Sequence, residues 1–108
     1  MIKTEMLLIA AMIRDDSGRV ITQAVEMGLT QADYIDADLG RAHAAMVDVW
    51  RRDERPSPAD VLTATEGRIT AKAIREAYAA IRTDRAGEYI LSVSQASTQR
   101  QIHAAIHQ

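Results

Sequence analysis

Residues 57–63 read Ser57-Pro58-Ala59-Asp60-Val61-Leu62-Thr63, which is the pattern of a helix N-terminus. Ser57 is a preferred N-cap residue, and Pro58 suits the first helical position because a backbone N–H would have no partner there. Asp60 completes a capping box, in which the cap and the third residue exchange side-chain-to-backbone hydrogen bonds. The stretch therefore predicts a short helix, whose buried face consists of Val61 and Leu62.

Helical patterns continue on both sides of this helix. Upstream, apolar residues recur at helical spacing between residues 36 and 52, as Leu39, Ala42, Met46, Val49 and Trp50. Downstream, Gly67 ends the helix and Thr70 caps the next one, which is predicted over residues 71–82. The inward side chains of that next helix are predicted to be Ile74, Tyr78 and Ile81.

The N-terminal third predicts two more helices. Thr4 is the expected cap of a helix over residues 4–14, and a second helix covers residues 19–27. Gly28 follows it at the place where a helix commonly ends with a left-handed residue. A connector over residues 29–35 has two apolar anchors, Leu29 and Tyr34.

The composition agrees with these patterns, because the chain has no Phe, two Pro and no long alternating run of β-branched residues. We predict an all-α fold, a compact bundle of about six helices in a single domain over residues 1–108. The C-terminal helix is expected to protrude as part of a helical hairpin. The predicted core consists of Leu7, Leu8, Met12, Met46, Trp50, Leu62, Ile74 and Tyr78.

Charge and cysteine content exclude several function classes. The absence of cysteine rules out a disulfide framework and a thiolate metal site, and it fits a cytoplasmic protein. A net charge of -2 does not favour direct binding to DNA. The apolar run over residues 6–13 is too short to cross a bilayer, so no membrane association is expected.

No catalytic set is visible, so we expect a non-enzymatic protein without a cofactor or a metal. Lys3-Thr4 lacks the glycine-rich loop that a nucleotide-binding Lys-Thr pair requires. His103 and His107 have the spacing of a two-histidine metal edge, but no third ligand is near in sequence.

Three further features have ordinary structural interpretations. Asp33, Asp36 and Asp38 resemble a carboxylate cluster for acid–base or Mg²⁺ chemistry, but helix capping explains the presence of the last two. His43 is predicted to lie at the boundary of the apolar stripe. A basic stretch around the fifth helix is either a solvated face or a contact for an acidic partner or a phosphate; it consists of Arg68, Lys72, Arg75, Arg82 and Arg85.

The last predicted helix begins near Ala86 and contains two apolar segments, separated by the almost wholly polar residues 94–101. The first segment can close the core, but the second lies beyond the reach of a core of this size. An apolar stripe outside a core is usually covered by a helix of another chain, so we expect weak self-association. The alternative is a frayed terminus without a partner. The candidate interface residues are Tyr89, Ile90, Val93, Ile102, Ala105 and Ile106.

The order of these motifs resembles the N-terminal domain of DnaB-type replicative helicases, over about residues 4–106. The run from Leu7 to Asp15 resembles the family's early Leu-Leu helix, and Asp33-Tyr34 resembles its Asp-aromatic connector. Residues 58–63 match its Pro-x-Asp-hydrophobic-hydrophobic-Thr motif, after a long helix that carries a His near its start. The chain departs from the family at residues 68–70, which replace a Gly-Gly-x-x-Tyr-Leu stretch, and around residues 36–40.

The resemblance implies a non-catalytic protein-interaction domain. In the family this domain precedes the ATPase motor, pairs through a protruding helical hairpin, and helps to form the collar that receives primase. The implied partners are therefore a second copy of the chain and the replicative helicase or primase. Two alternatives stay open: a stand-alone phage-encoded regulator or loader that binds the host replicative helicase, and a helical nucleic-acid-binding module.

Overall fold

The computed structural model describes residues 2–106, and over that range it contains helices and turns but no β-strand. The predicted all-α fold is confirmed. Two short 3₁₀ turns, Gln31–Asp33 and Thr83–Arg85, precede the third and the last α-helix. The α-helices are α1 (Thr4–Arg14), α2 (Arg19–Glu26), α3 (Ala37–Arg51), α4 (Pro58–Ala64), α5 (Ala71–Ala80) and α6 (Ala86–Ile106).

The first helix is the centre of the fold. Every residue of α1 from Leu8 to Ile13 is at most 4% exposed, because α2, α3, α5 and α6 all pack against it. A helix that is apolar on all sides is stable only when it is surrounded in this way. Ala10 and Ala11 are fully buried, and their small side chains let neighbouring helices approach closely.

Local capping signals set most helix ends. Ser57 and Asp60 form the predicted capping box, and the Thr70 side chain accepts a hydrogen bond from the backbone N–H of Ala73. Thr4, however, is not a cap: Lys3 occupies the N-cap position of α1 in an extended conformation and makes no side-chain cap bond. The fifth helix ends at Ala80, two residues earlier than predicted, because the next residue is extended.

Half of the side chains that were predicted to form the core are fully buried. Of the eight predicted core residues, Leu8, Met12, Met46 and Ile74 are buried. The other four are only partly buried: Leu7, Trp50, Leu62 and Tyr78. Trp50 lies in the last turn of α3, at the rim of the domain, with its indole Nε1 facing Gly18. A bulky amphipathic side chain at a helix end is held on one side only, which leaves the other side in solvent.

Close packing between α3 and the connector requires a glycine at position 40. A Cβ added to Gly40 would lie 2.8 Å from the backbone carbonyl oxygen of Gln31, which is closer than side-chain carbons approach backbone. A Cβ added to Gly87, in the first turn of α6, would meet only the flexible end of the Gln23 side chain, at 3.1 Å.

We expect Gly40→Ala to lower the free energy of unfolding by about 1–3 kcal/mol, because the connector must move away from α3. Gly87→Ala is the matched control, and it should leave stability unchanged or slightly raised, because alanine favours helix. Urea unfolding monitored by circular dichroism measures both effects. If Gly40→Ala is as stable as the unmodified chain, the connector does not pack as described.

Candidate protein-interaction surface

The last helix, α6, has a buried first half and an exposed second half. Its core-facing residues in the first half are Ala86, Ile90, Val93 and Ser97. Every residue from 101 to 106 is exposed. The end of α6 therefore projects beyond the helices on which its beginning packs.

Three large apolar side chains of α6 are exposed along one line. Leu91 is 48% exposed, Ile102 55% and Ile106 72%. Eleven residues are about three turns of an α-helix and fifteen are about four, so these side chains share one face. The core-facing residues Ile90, Val93 and Ser97 lie on the other side of the helix. We call the set Leu91, Ile102 and Ile106 the apolar row.

The predicted interface residues differ in how far they are exposed. Ile102, Ala105 and Ile106 are exposed, whereas Ile90 and Val93 are buried in the core, so these two are corrected from interface to core residues. Tyr89 is half-buried, and its hydroxyl accepts a hydrogen bond from the backbone N–H of Arg82 at 3.1 Å. Sequence reasoning missed Leu91, although its eleven-residue spacing from Ile102 was available as a signal.

The exposed face of α6 is almost free of charge. Within the described part of the helix, Glu88 and Arg100 are the charged residues of the Asp, Glu, Lys and Arg types. Residues 89–98, which lie between them, contain no charged side chain. His103 is exposed, and His107 lies outside the described residues. A neutral face with an apolar row is suited to contact another neutral helix.

One residue of the connector, Asp33, fixes the middle of α6 through its side chain and its backbone carbonyl. The Ser97 hydroxyl donates to Asp33 Oδ1 at 2.7 Å, and Arg100 Nη2 donates to the backbone carbonyl of Asp33 at 2.7 Å. Partial burial opposes ionisation of Asp33, but the hydrogen bonds from Ser97 and Thr30 outweigh it and lower the pKa of this carboxyl. Asp33 therefore holds α6 at the point where the helix leaves the core.

A buried hydrogen-bonded pair lies next to this attachment. His43 is only 2% exposed, so its predicted boundary position is wrong. Its Nε2 lies 3.3 Å from the carbonyl oxygen of Leu29, which can only accept, so Nε2 carries the proton. Its Nδ1 then accepts from the Tyr34 hydroxyl, at 2.9 Å. Burial lowers the pKa of His43 below its ordinary value, although the Leu29 carbonyl and the Asp33 charge act in the opposite direction.

The aspartates near the start of α3 are structural. Asp36 is the N-cap of α3, and its Oδ1 accepts from the backbone N–H groups of Asp38 and Leu39. Asp38 instead pairs with Arg41 and Arg68, at 2.8 and 2.9 Å. Across residues 2–106, no cluster of three His, Asp or Glu side chains has the geometry to hold a metal ion.

Comparison of the chain with models of protein families, with curated proteins and with solved structures finds no match. Among the helices described, none has both the length and the hydropathy needed to span a membrane.

The buried His43 predicts a stability that depends on pH. The unfolded chain binds a proton at His43 with the ordinary pKa of 6.5, whereas the folded chain binds it only at lower pH. Stability should therefore be constant above about pH 7.5 and should fall as the pH drops below 6.5, by up to about 1.4 kcal/mol at pH 5.5. Urea unfolding at pH 7.5 and pH 5.5 measures this difference.

Carboxylates also begin to titrate near pH 5.5, so two variants separate their contribution. His43→Gln should reduce the difference in stability between the two pH values, whatever its effect on stability at pH 7.5. His103→Gln, which changes an exposed histidine, is the matched control, and the reduction should be larger for His43→Gln. Equal stability of the unmodified chain at both pH values would contradict the assignment of a neutral, buried His43.

Proposed function

We propose that the chain is a non-catalytic protein-interaction domain, similar to the N-terminal domain of DnaB-type replicative helicases. Its role is oligomer assembly and contact with the helicase or primase in DNA replication. The observation that carries this proposal is the apolar row of α6, of which Ile102 and Ile106 lie on the projecting end of the helix. The order of the sequence motifs supplies the link to replication.

Exposed apolar side chains in a row are stabilised when another surface removes them from water. Burial of a fully exposed isoleucine or leucine contributes roughly 1.5–3 kcal/mol. Leu91, Ile102 and Ile106 are 48%, 55% and 72% exposed, so each contributes only part of that amount. The row contains three such side chains, of which two lie beyond the core. A contact of this size supports weak and reversible association, since stable dimers bury far larger interfaces.

A second copy of α6 suits this surface. Leu91, Gln95, Thr98, Ile102 and Ala105 follow the alternating four- and three-residue spacing of a two-helix seam. Two such helices face each other without like-charge repulsion, because the seam contains no charged residue. Gln95 and Thr98 place polar groups in its middle, and such groups favour one register over others.

The absence of catalysis is proposed from the sequence. Neither Lys3 nor Lys72 belongs to a glycine-rich phosphate loop, and no nucleophile, base and orienting group converge in the pattern. Purified chain should not turn over nucleoside triphosphates, and steady hydrolysis that follows the protein through purification would contradict this part of the proposal.

We expect Ile102→Asp to abolish concentration-dependent association while the fold remains intact, because a carboxylate would have to be buried in the seam. Ala104→Asp is the matched control, since it adds the same charge to an exposed position about 200° away round the helix. Sedimentation equilibrium between micromolar and millimolar protein measures association. If the unmodified chain is strictly monomeric, or if both variants associate equally, the apolar row is not the contact.

Partner binding is tested with the purified replicative helicase and primase of the same source. The immobilised chain should retain at least one of them, and Ile102→Asp should weaken retention if the contact uses α6. Retention of neither protein, together with a monomeric chain, would reject the proposed role in replication. Retention of duplex DNA that weakens steeply with salt would favour a nucleic-acid-binding module instead.

A further inference from the structure

An open groove of about 760 Å³ lies between the C-terminal end of α1, the loop that joins α3 to α4, and α5. Its apolar lining comes from Ile13, Pro56, Pro58 and Tyr78. Pro56 restricts the backbone of the loop and Pro58 fixes the start of α4, since each proline locks its own φ angle. The groove is therefore a preformed surface, and a segment that binds it does not have to order the loop.

Basic side chains surround this groove. Arg14 and Arg55 line it, and Arg75 lies one turn before the lining residue Ala79 on the same face of α5. Arg14 Nη1 donates a hydrogen bond to the backbone carbonyl of Tyr78 at 2.8 Å. This bond positions the guanidinium, but it does not neutralise its charge because the carbonyl is uncharged. Arg75 is exposed and forms no ion pair within residues 2–106.

The carboxylates of the groove do not balance these charges. Asp16 pairs with Arg55, and it is the acidic residue among those that line the groove. The groove lining thus contains two guanidinium groups and one carboxylate, and within residues 2–106 Arg14 forms no ion pair, in a chain whose overall net charge is -2. This local excess of positive charge is complementary to an acidic segment of another protein.

Tyr78 adds a hydrogen-bond donor at the same place. Its side chain is half-buried, and its hydroxyl makes no hydrogen bond to any residue in the described range. Burial raises the pKa of the Tyr78 phenol, and the charges of Arg14 and Arg55 act against that rise, which places both guanidinium groups near the ring. A carboxylate bound between the arginines would be within reach of this hydroxyl.

We propose that this groove binds an acidic peptide segment of a partner protein. A carboxylate of the segment meets Arg14 and Arg55, and a neighbouring apolar side chain packs on Pro58 and the Tyr78 ring. Guanidinium groups bind carboxylates through paired hydrogen bonds, which provide direction as well as attraction. A nucleic acid fits less well, because the groove offers one aromatic ring for stacking and has Asp16 in its wall.

The groove is separate from the apolar row of α6. It lies at the C-terminal end of α1, where Ile13 and Arg14 line it. The second half of α6 leaves the domain beside the connector, where Ser97 is bonded to Asp33. The connector in turn lies at the N-terminal end of α1, because Glu5 accepts hydrogen bonds from the backbone N–H groups of Ile35 and Asp36. Ile102 and Ile106 therefore lie toward the opposite end of α1 from the groove, and binding at one surface can be tested without the other.

The test uses a synthetic octapeptide of alternating glutamate and leucine, titrated into the isotopically labelled chain and followed by nuclear magnetic resonance. Chemical-shift changes should centre on Ile13, Arg14, Tyr78 and Ala79. The same peptide with glutamine in place of glutamate should cause much smaller changes. Millimolar acidic peptide without an effect, changes centred elsewhere, or equal effects of both peptides would overturn the proposal, as would tighter binding of a short oligothymidylate.

Charge-removing variants identify the residues responsible. Arg14→Gln should weaken binding of the acidic peptide about tenfold, as loss of a hydrogen bond to a charged group does. Arg75→Gln should weaken it about threefold, and since Arg75 forms no ion pair in the described structure, this loss does not arise from unfolding. Arg51→Gln is the matched control: it removes an exposed arginine at the end of α3, outside the groove, and should leave binding unchanged. Equal affinities of all three variants would reject the site.

Discussion

Burial of α1 from Leu8 to Ile13 is the constraint on which the arrangement of the other helices depends. Because its residues from Leu8 to Ile13 are apolar on every side, the helix has to be covered by neighbours all round. The length of α1 then limits how much of α6 can pack on it. An eleven-residue helix is about 16 Å long, whereas the 21 residues of α6 span about 31 Å. Once the first half of α6 has covered α1, its second half has no remaining core to cover, and this is the origin of the exposed apolar row.

The connector between α2 and α3 determines where α6 leaves the domain. Its consecutive residues Asp33, Tyr34 and Ile35 are bound to three different helices. Asp33 accepts from Ser97 of α6, the Tyr34 hydroxyl donates to His43 of α3, and the backbone N–H of Ile35 donates to Glu5 of α1. Such a joint is rigid because each bond restricts a different direction of movement. The exposed end of α6 therefore begins from a fixed position, as a helix that presents a contact surface requires.

Local signals predict the helices well, and contacts between distant residues explain the errors. Ser57 and Thr70 cap their helices as predicted, because capping needs only the next three residues. The burial of His43 was not predictable from its own helix, since it depends on the Tyr34 hydroxyl and the Leu29 carbonyl in the connector. The candidate surface also combines features that depend on local sequence with features that depend on contacts between distant residues. The sequence predicts the exposed stripe at Ile102 and Ile106, whereas the attachment of Ser97 to Asp33 joins residues 64 positions apart and leaves no periodic signal.

The two proposed surfaces differ in chemistry as well as in position, and this difference keeps their partners apart. The apolar row is neutral, so an acidic segment gains no electrostatic attraction there. The groove is lined by Arg14 and Arg55, so the neutral face of a second α6 gains no electrostatic attraction there. Each surface thus disfavours the partner of the other, which is how specificity arises when two contacts are both weak. An assembly formed through the projecting end of α6 leaves the groove open, because Ile102 and Ile106 lie toward the other end of α1. A domain with this arrangement can hold its own copies together at one end while it retains a different protein at the other.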